Sequence, residues 1–147
     1  MTNPSASGFR TRARIVLFVE DNADLREMYS QALRDGGLYV AQVATVEEAI
    51  LVASRLRPDV VVLDRGLHDG DGWDVARALK NTAATKEAQI LAFTACGGRD
   101  DVERALVAGC DAFLEKPCTP DQLVRMAVAM SDLETASEEE EDRLKLA

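Results

Sequence analysis

The sequence predicts an α/β fold in which a mostly parallel five-stranded sheet is covered by helices on both faces. Two observations predict it. Short, continuous apolar runs alternate along the chain with longer stretches of helical period. The runs also begin about 20 to 30 residues apart, the length of a strand plus a crossover helix. With 147 residues there is room for one domain with a sizeable core and too little for two. Right-handed crossovers between parallel strands leave few other arrangements for five such units.

The first run, Ile15 to Val19 (IVLFV), is β-branched and aromatic throughout and reads as a strand buried on both faces. After Asn22, Leu25, Met28 and Ala32 predict one face of a helix that Gly36 and Gly37 end. Leu38 to Val43 is a more polar strand, suited to an edge. Thr45-Val-Glu-Glu48 has the spacing of a capping box, opening a helix with Val46, Ala49, Ile50 and Ala53 on one side and Pro58 beyond its end. Val60 to Leu63 is the third strand, and Asp71 to Lys80 a helix burying Val75, Ala78 and Leu79, with Trp73 as a half-buried anchor. Ile90 to Phe93 follows, then a helix over Arg99 to Ala108 facing inward through Val102, Ala105 and Leu106 and stopped by Gly109. Ala112 to Leu114 is the last strand. Thr119-Pro-Asp-Gln122 is a second capping box with Pro at the first helical position, leading into Leu123, Val124, Ala127 and Val128.

Charge excludes several functions. Lys and Arg number 17 against 26 Asp and Glu, a formal net charge of -9. A grip on nucleic-acid phosphates needs a basic surface, and only Arg10, Arg12 and Arg14 cluster. No apolar stretch approaches the ~20 residues of a membrane span, and the opening MTNPSASGFRTRAR has no apolar signal region. A cytoplasmic protein is expected. Cys96, Cys110 and Cys118 have no metal-site or disulfide spacing, so reduced thiols are expected.

In sheets of this kind chemistry sits beyond the carboxyl ends of the strands. Glu20 and Asp21 follow the first strand, Asp64 the third and Thr94 the fourth, while the fifth runs through Glu115 into Lys116 and Pro117. Three carboxylates within about 5 Å repel by about 3 kcal/mol per pair at an effective dielectric of 20. A hard divalent cation held by oxygen ligands offsets this. Asp64 then suits an aspartyl nucleophile toward phosphorus, with Lys116 neutralising charge and the Thr94 hydroxyl donating to a phosphoryl oxygen.

At these residues the chain resembles the receiver domains of two-component response regulators, the chemotaxis-regulator-like family. The matching pieces are LFVEDNADL, VVVLDRGLHDGDGWDV, ILAFTA and AGCDAFLEKPCTPDQL, spanning roughly residues 14 to 130. The resemblance implies a doubly wound sheet in the order 2-1-3-4-5. It implies phosphorylation of Asp64 by a histidine kinase or phosphotransfer protein. Mg²⁺ or Mn²⁺ would be bound by Asp21, Asp64 and the Gly66 carbonyl, with Glu20 assisting. A cis bond between Lys116 and Pro117 is also implied, as is a switch in which Thr94 and Phe113 move together and report through the fourth helix, fifth strand and fifth helix to a downstream protein.

On this reading residues 1–14 are a flexible basic lead, 15–131 the receiver domain and 132–147 an acidic tail. The expectation is a stand-alone switch, catalysing only its own phosphorylation and dephosphorylation. Some positions depart from the family. Glu20 stands where many relatives have Asp, and His68 where Pro is usual, so the loop after Asp64 is expected to be less rigid. Phe113 lacks a tyrosine hydroxyl, and Gly66 offers no side chain to steer a hydrolytic water, so slow loss of the phosphoryl group is expected. Three other functions stay open. A phosphatase of the haloacid dehalogenase kind resembles its relatives in carrying a second Asp where Gly66 stands here. A flavin module of the flavodoxin kind needs a first loop less acidic than EDNAD. A receiver-like interaction module working without phosphorylation would share every motif above.

Overall fold

The computed structural model of the chain describes residues 13–95 and 98–132. Residues 1–12 of the basic lead, nearly all of the acidic tail, and Cys96 lie outside them. Five strands form one parallel sheet: β1 (Ile15–Val19), β2 (Tyr39–Val43), β3 (Val60–Leu63), β4 (Gln89–Thr94) and β5 (Ala112–Glu115). Their spatial order is β2-β1-β3-β4-β5, which is the doubly wound order 2-1-3-4-5. Four intervening helices are α1 (Ala23–Asp35), α2 (Val46–Leu56), α3 (Gly72–Lys80) and α4 (Arg99–Ala108). Residues 120–132 are helical and form α5. Among the described residues no helix is long and apolar enough to cross a membrane.

Local sequence explains the boundaries. Asn22 caps α1 by accepting from the Leu25 N–H, so neither Glu20 nor Asp21 is spent on the cap. Thr45 caps α2, and the Glu48 carboxylate reaches back to the Ala44 N–H. At α5 the box is reciprocal, with the Thr119 hydroxyl on the Gln122 N–H and the Gln122 carbonyl on the Thr119 N–H. Asp71 is the cap of α3 and not its first residue, accepting from the Trp73 N–H.

Two cores lie on opposite faces of the sheet, because successive residues of β1, β3 and β4 point to alternate sides. Leu17, Val19, Val61, Leu63, Ile90 and Ala92 meet α2, α3 and Ala105 on one side. Val16, Phe18, Val60, Val62, Leu91 and Phe93 meet α1 and α5 on the other. Trp73 belongs wholly to the first core, 2% exposed where half-burial was expected, since α3 enters almost against the sheet. On α1 the buried residues are Tyr29, Ser30 and Leu33 in place of the expected Met28 and Ala32, and Met28 is 46% exposed. The helix is rotated to seat the Tyr29 ring against Phe18 and Phe93, a preference that period alone does not carry. On α4 Ala105 and Ala108 are buried while Leu106 is turned outward, small residues allowing the helix to lie close.

Gly72 sets the entry of α3. A Cβ at this position would collide with the Asp64 carbonyl oxygen, a backbone atom that cannot rotate away. Replacing Gly72→Ala should therefore destabilise the protein by about 3 kcal/mol, in the range of an overpacked core, read as a shifted midpoint in urea unfolding. An unchanged midpoint would show that α3 is not held this close.

Candidate functional site

The carboxyl ends of β1, β3, β4 and β5 converge at one edge of the sheet because the four strands are neighbours and run the same way. Glu20 and Asp21 leave β1, Asp64 leaves β3, Thr94 ends β4, and Lys116 follows β5. Glu20, Asp21 and Asp64 each place a carboxylate oxygen within 4.8 Å of the others. Glu20 is buried, Asp64 half-buried and Asp21 exposed, so the cluster is open to solvent on one side.

Lys116 is the cation of this group. Its Nζ lies 2.5 Å from Glu20 Oε1 and 3.3 Å from Asp64 Oδ2. Its backbone N–H donates to the Thr94 carbonyl, which registers the lysine against the end of β4. The Lys116-Pro117 peptide bond is cis. Burial works against the Lys116 charge, but the bond to Glu20 and the charges of Asp64 and Glu20 outweigh it and hold the ammonium above the ordinary lysine pKa. For Glu20, burial pushes the carboxyl up from its usual range, beyond what Lys116 and the Asn22 N–H pull down. A second cation, Arg26, donates from Nη1 to the Glu20 carbonyl at 2.7 Å and fixes the turn between β1 and α1.

The other sequence-predicted residues fall around this centre. Thr94 is buried, 2% exposed, paired in register with Glu115. Phe113 is half-buried against the core on the α2 and α3 side. Gly66 sits at the exposed rim two residues beyond Asp64, and His68 is exposed at the same rim.

The loop carrying Gly66 is held by residues that motif reading did not single out. Gly66-Leu67 pairs antiparallel with Gly70-Asp71, Leu67 is buried, and the Gly72 N–H donates to the Arg65 carbonyl at 2.7 Å. Asp69 accepts from the Val46 and Glu47 N–H groups at 2.7 and 3.2 Å, tying the loop to the first turn of α2. Arg65 Nη1 binds Asp101 of α4 at 2.7 Å, and its Nε lies 3.7 Å from Asp71. These contacts restrain the loop where His68 replaces the proline expected to stiffen it. The partners of Asp69 on α2 and of Arg65 on α4 are 22 to 36 residues away, and local spacing gives no signal of them.

Fold and site together define a doubly wound α/β domain with an acidic cluster at its strand ends. The chain matches the response regulator receiver domain over residues 16–128 and belongs to that family. It is 33% identical over 112 residues to the phosphate regulon transcriptional regulatory protein PhoB of Klebsiella pneumoniae, covering 76% of this chain and 49% of that one. The chain thus spans about half the length of the curated relatives it matches. Chemotaxis response regulator CheY4 of Vibrio cholerae superposes with a TM-score of 0.76 at 26% identity, over 81% of this chain and 99% of that one. The receiver domain of sensor histidine kinase PA1611 from Pseudomonas aeruginosa PAO1 gives 0.76 at 29% identity, over 82% and 99%, and was solved with a magnesium ion coordinated in its active site cleft.

The Asp69 contact has a pH signature. Bonds from the Val46 and Glu47 N–H groups hold its carboxyl below the ordinary value of 3.8. A depressed folded pKa gives stabilisation that is present above the unfolded value and lost as pH falls through the folded one. Asp69→Asn should accordingly melt at a lower temperature than the parent at neutral pH, and the two should converge in acid as the pH falls through the depressed Asp69 value. Parallel melting curves across the whole range would contradict this.

Proposed function

We propose that the protein is a receiver switch that accepts a phosphoryl group on Asp64 from a histidine kinase or histidine phosphotransfer protein and in turn alters its contacts with a downstream protein. One observation carries the reading: three acids from two strand ends meet beside a half-buried lysine that bridges Glu20 and Asp64. Such a grouping is costly as a structural element and suits a site that receives a cation and a phosphoryl group.

The donor set fits a divalent metal. Its side-chain donors are hard carboxylate oxygens, gathered within 4.8 Å, with one of the three residues solvent-exposed. Asp21, Asp64 and the Gly66 carbonyl would hold Mg²⁺ or Mn²⁺, with Glu20 assisting. When bound, the ion would neutralise the acids and the charge on the transferring phosphoryl oxygens.

This chain's own residues do the remaining work. An Asp64 carboxylate oxygen forms a bond to phosphorus as the bond from phosphorus to the donor's imidazole nitrogen breaks, and that nitrogen keeps the electron pair. Lys116 shifts from sharing Asp64 to meeting a phosphoryl oxygen, and Thr94 donates its hydroxyl to another. Catalysis is thus confined to the protein's own phosphorylation and dephosphorylation. The modification adds roughly one negative charge and three acceptor oxygens. Hydrogen bonds to charged groups contribute about 1.5 to 3 kcal/mol each, so two new ones approach the roughly 5.5 kcal/mol that inverts a 1:99 equilibrium. Binding of the downstream protein completes the shift. Thr94 and Phe113 are the residues proposed to move, and α4, β5 and α5 the surface that reports the movement, in a cytoplasmic setting.

Incubation with acetyl phosphate and Mg²⁺ should add one phosphoryl group to the intact mass, and Asp64→Asn or chelation of the metal should abolish it. No gain with any phosphodonor would leave an interaction module that works without phosphorylation. Once formed, the acyl phosphate should decay slowly, over minutes or longer, since Gly66 brings no side chain to direct water at phosphorus. Loss of label within seconds in the presence of Mg²⁺ would refute that.

A further inference from the structure

Lys116 serves two carboxylates in the resting site and, on the reading above, a phosphoryl oxygen in the loaded one. Its ammonium ends a flexible four-carbon stem, which by itself occupies many rotamers. Strand pairing fixes only its backbone, through the N–H bond to the Thr94 carbonyl. Glu20 and Asp64 hold the ammonium in the resting site. On that reading it leaves Asp64 for a phosphoryl oxygen, so a constraint besides the carboxylates is needed to keep its place.

The structure supplies it from beneath. Lys116 Nζ sits over the Phe93 ring, 5.1 Å from its centroid, within the range of a cation–π contact. Phe93 is fully buried, and its ring meets Tyr29 edge to face at 5.1 Å and 89°. Phe18 closes the group, with ring centroids 6.3 Å from both. Tyr29 does a second thing. Its hydroxyl donates to the Cys118 carbonyl at 2.9 Å, across 89 residues of sequence, holding the segment just beyond Pro117. Tyr29 is 4% exposed, and this bond is partly buried.

We propose that Tyr29, with Phe93, is a positioning residue for Lys116: its ring braces the aromatic face under the ammonium and its hydroxyl anchors the loop on which the lysine stands. Both contacts converge on one side chain from α1, an element that contributes no group of its own to the acidic cluster. A purely structural Tyr29 would need a partner for its buried hydroxyl, but any carbonyl would serve. The carbonyl used is two residues past the lysine. The rate effect rests on the phosphorylation reading; the ordering of the lysine does not.

The experiment uses Tyr29→Phe, which keeps the ring and removes only the hydroxyl. Phosphorylation by acetyl phosphate should slow about fivefold, the rate equivalent of one hydrogen bond of about 1 kcal/mol, with Mg²⁺ affinity by calorimetry unchanged. In a Lys116→Ala background, at elevated acetyl phosphate, the same substitution should have no further effect. An equal slowing in both backgrounds, or none in the parent, would overturn the proposal. Independently of any phosphoryl transfer, the Lys116 ammonium should give a resolved nitrogen-edited NMR signal in the parent that broadens or is lost in Tyr29→Phe. A signal identical in both would overturn it as well. A parent protein that takes no label would count against the acceptor role of Asp64, and the NMR comparison would still decide the role of Tyr29.

Discussion

Lys116 between Glu20 and Asp64 is the interaction on which the site depends. Three carboxylates gathered at one sheet edge repel, and Glu20, almost fully buried, has little water to screen it. An ammonium within salt-bridge distance of two of them offsets the repulsion and lets the strand ends come together. Removing one partner from a buried pair costs about 3 to 5 kcal/mol, because the remaining charge is stranded in a poor solvent. The parallel registers set the levels from which these groups reach one another: Val19 lies beside Leu63, Leu63 beside Ala92 and Ala92 beside Phe113, so β5 runs two residues further before Lys116 follows it.

Around that charge cluster the loops are pinned from outside it. Asp69 fastens the segment after Asp64 to α2, and Arg65 fastens the same segment to α4. Each tie uses a charged group against backbone N–H groups or an opposite charge, bonds stronger than neutral ones. The loop after Asp64 is thereby joined to two helices that do not contribute to the acidic cluster. Arg65, next to Asp64 in the chain, is the residue paired with Asp101 of α4.

The residues of the site were legible in the sequence because they lie at strand ends, and strand ends are marked by the change from apolar runs to polar residues. Glu20, Asp21, Asp64, Thr94 and Lys116 all fall directly after or at the end of such runs. Thr45 and Thr119 were legible as capping residues for the same local reason, whereas Asp71, read as the first residue of its helix, is its cap. Tyr29 was passed over because Leu25, Met28 and Ala32 form an equally good helical stripe, and only the presence of Phe18 and Phe93 opposite decides which stripe turns inward. Arg65, Asp69 and Asp101 were passed over because a charged residue outside the core has no periodicity to betray a partner distant in the chain.

By itself the sequence determined the five β-α units, the parallel sheet they must build, and the acids and lysine delivered to one edge, since each follows from local periodicity and from the short reach of crossover connections. Only the tertiary structure decided which helix faces turn inward, how deeply Glu20 and Trp73 are buried, and which distant groups tether the loops. Those outcomes depend on packing and charge pairing between segments far apart in the chain, where many partners are compatible with the local sequence and the folded geometry selects one.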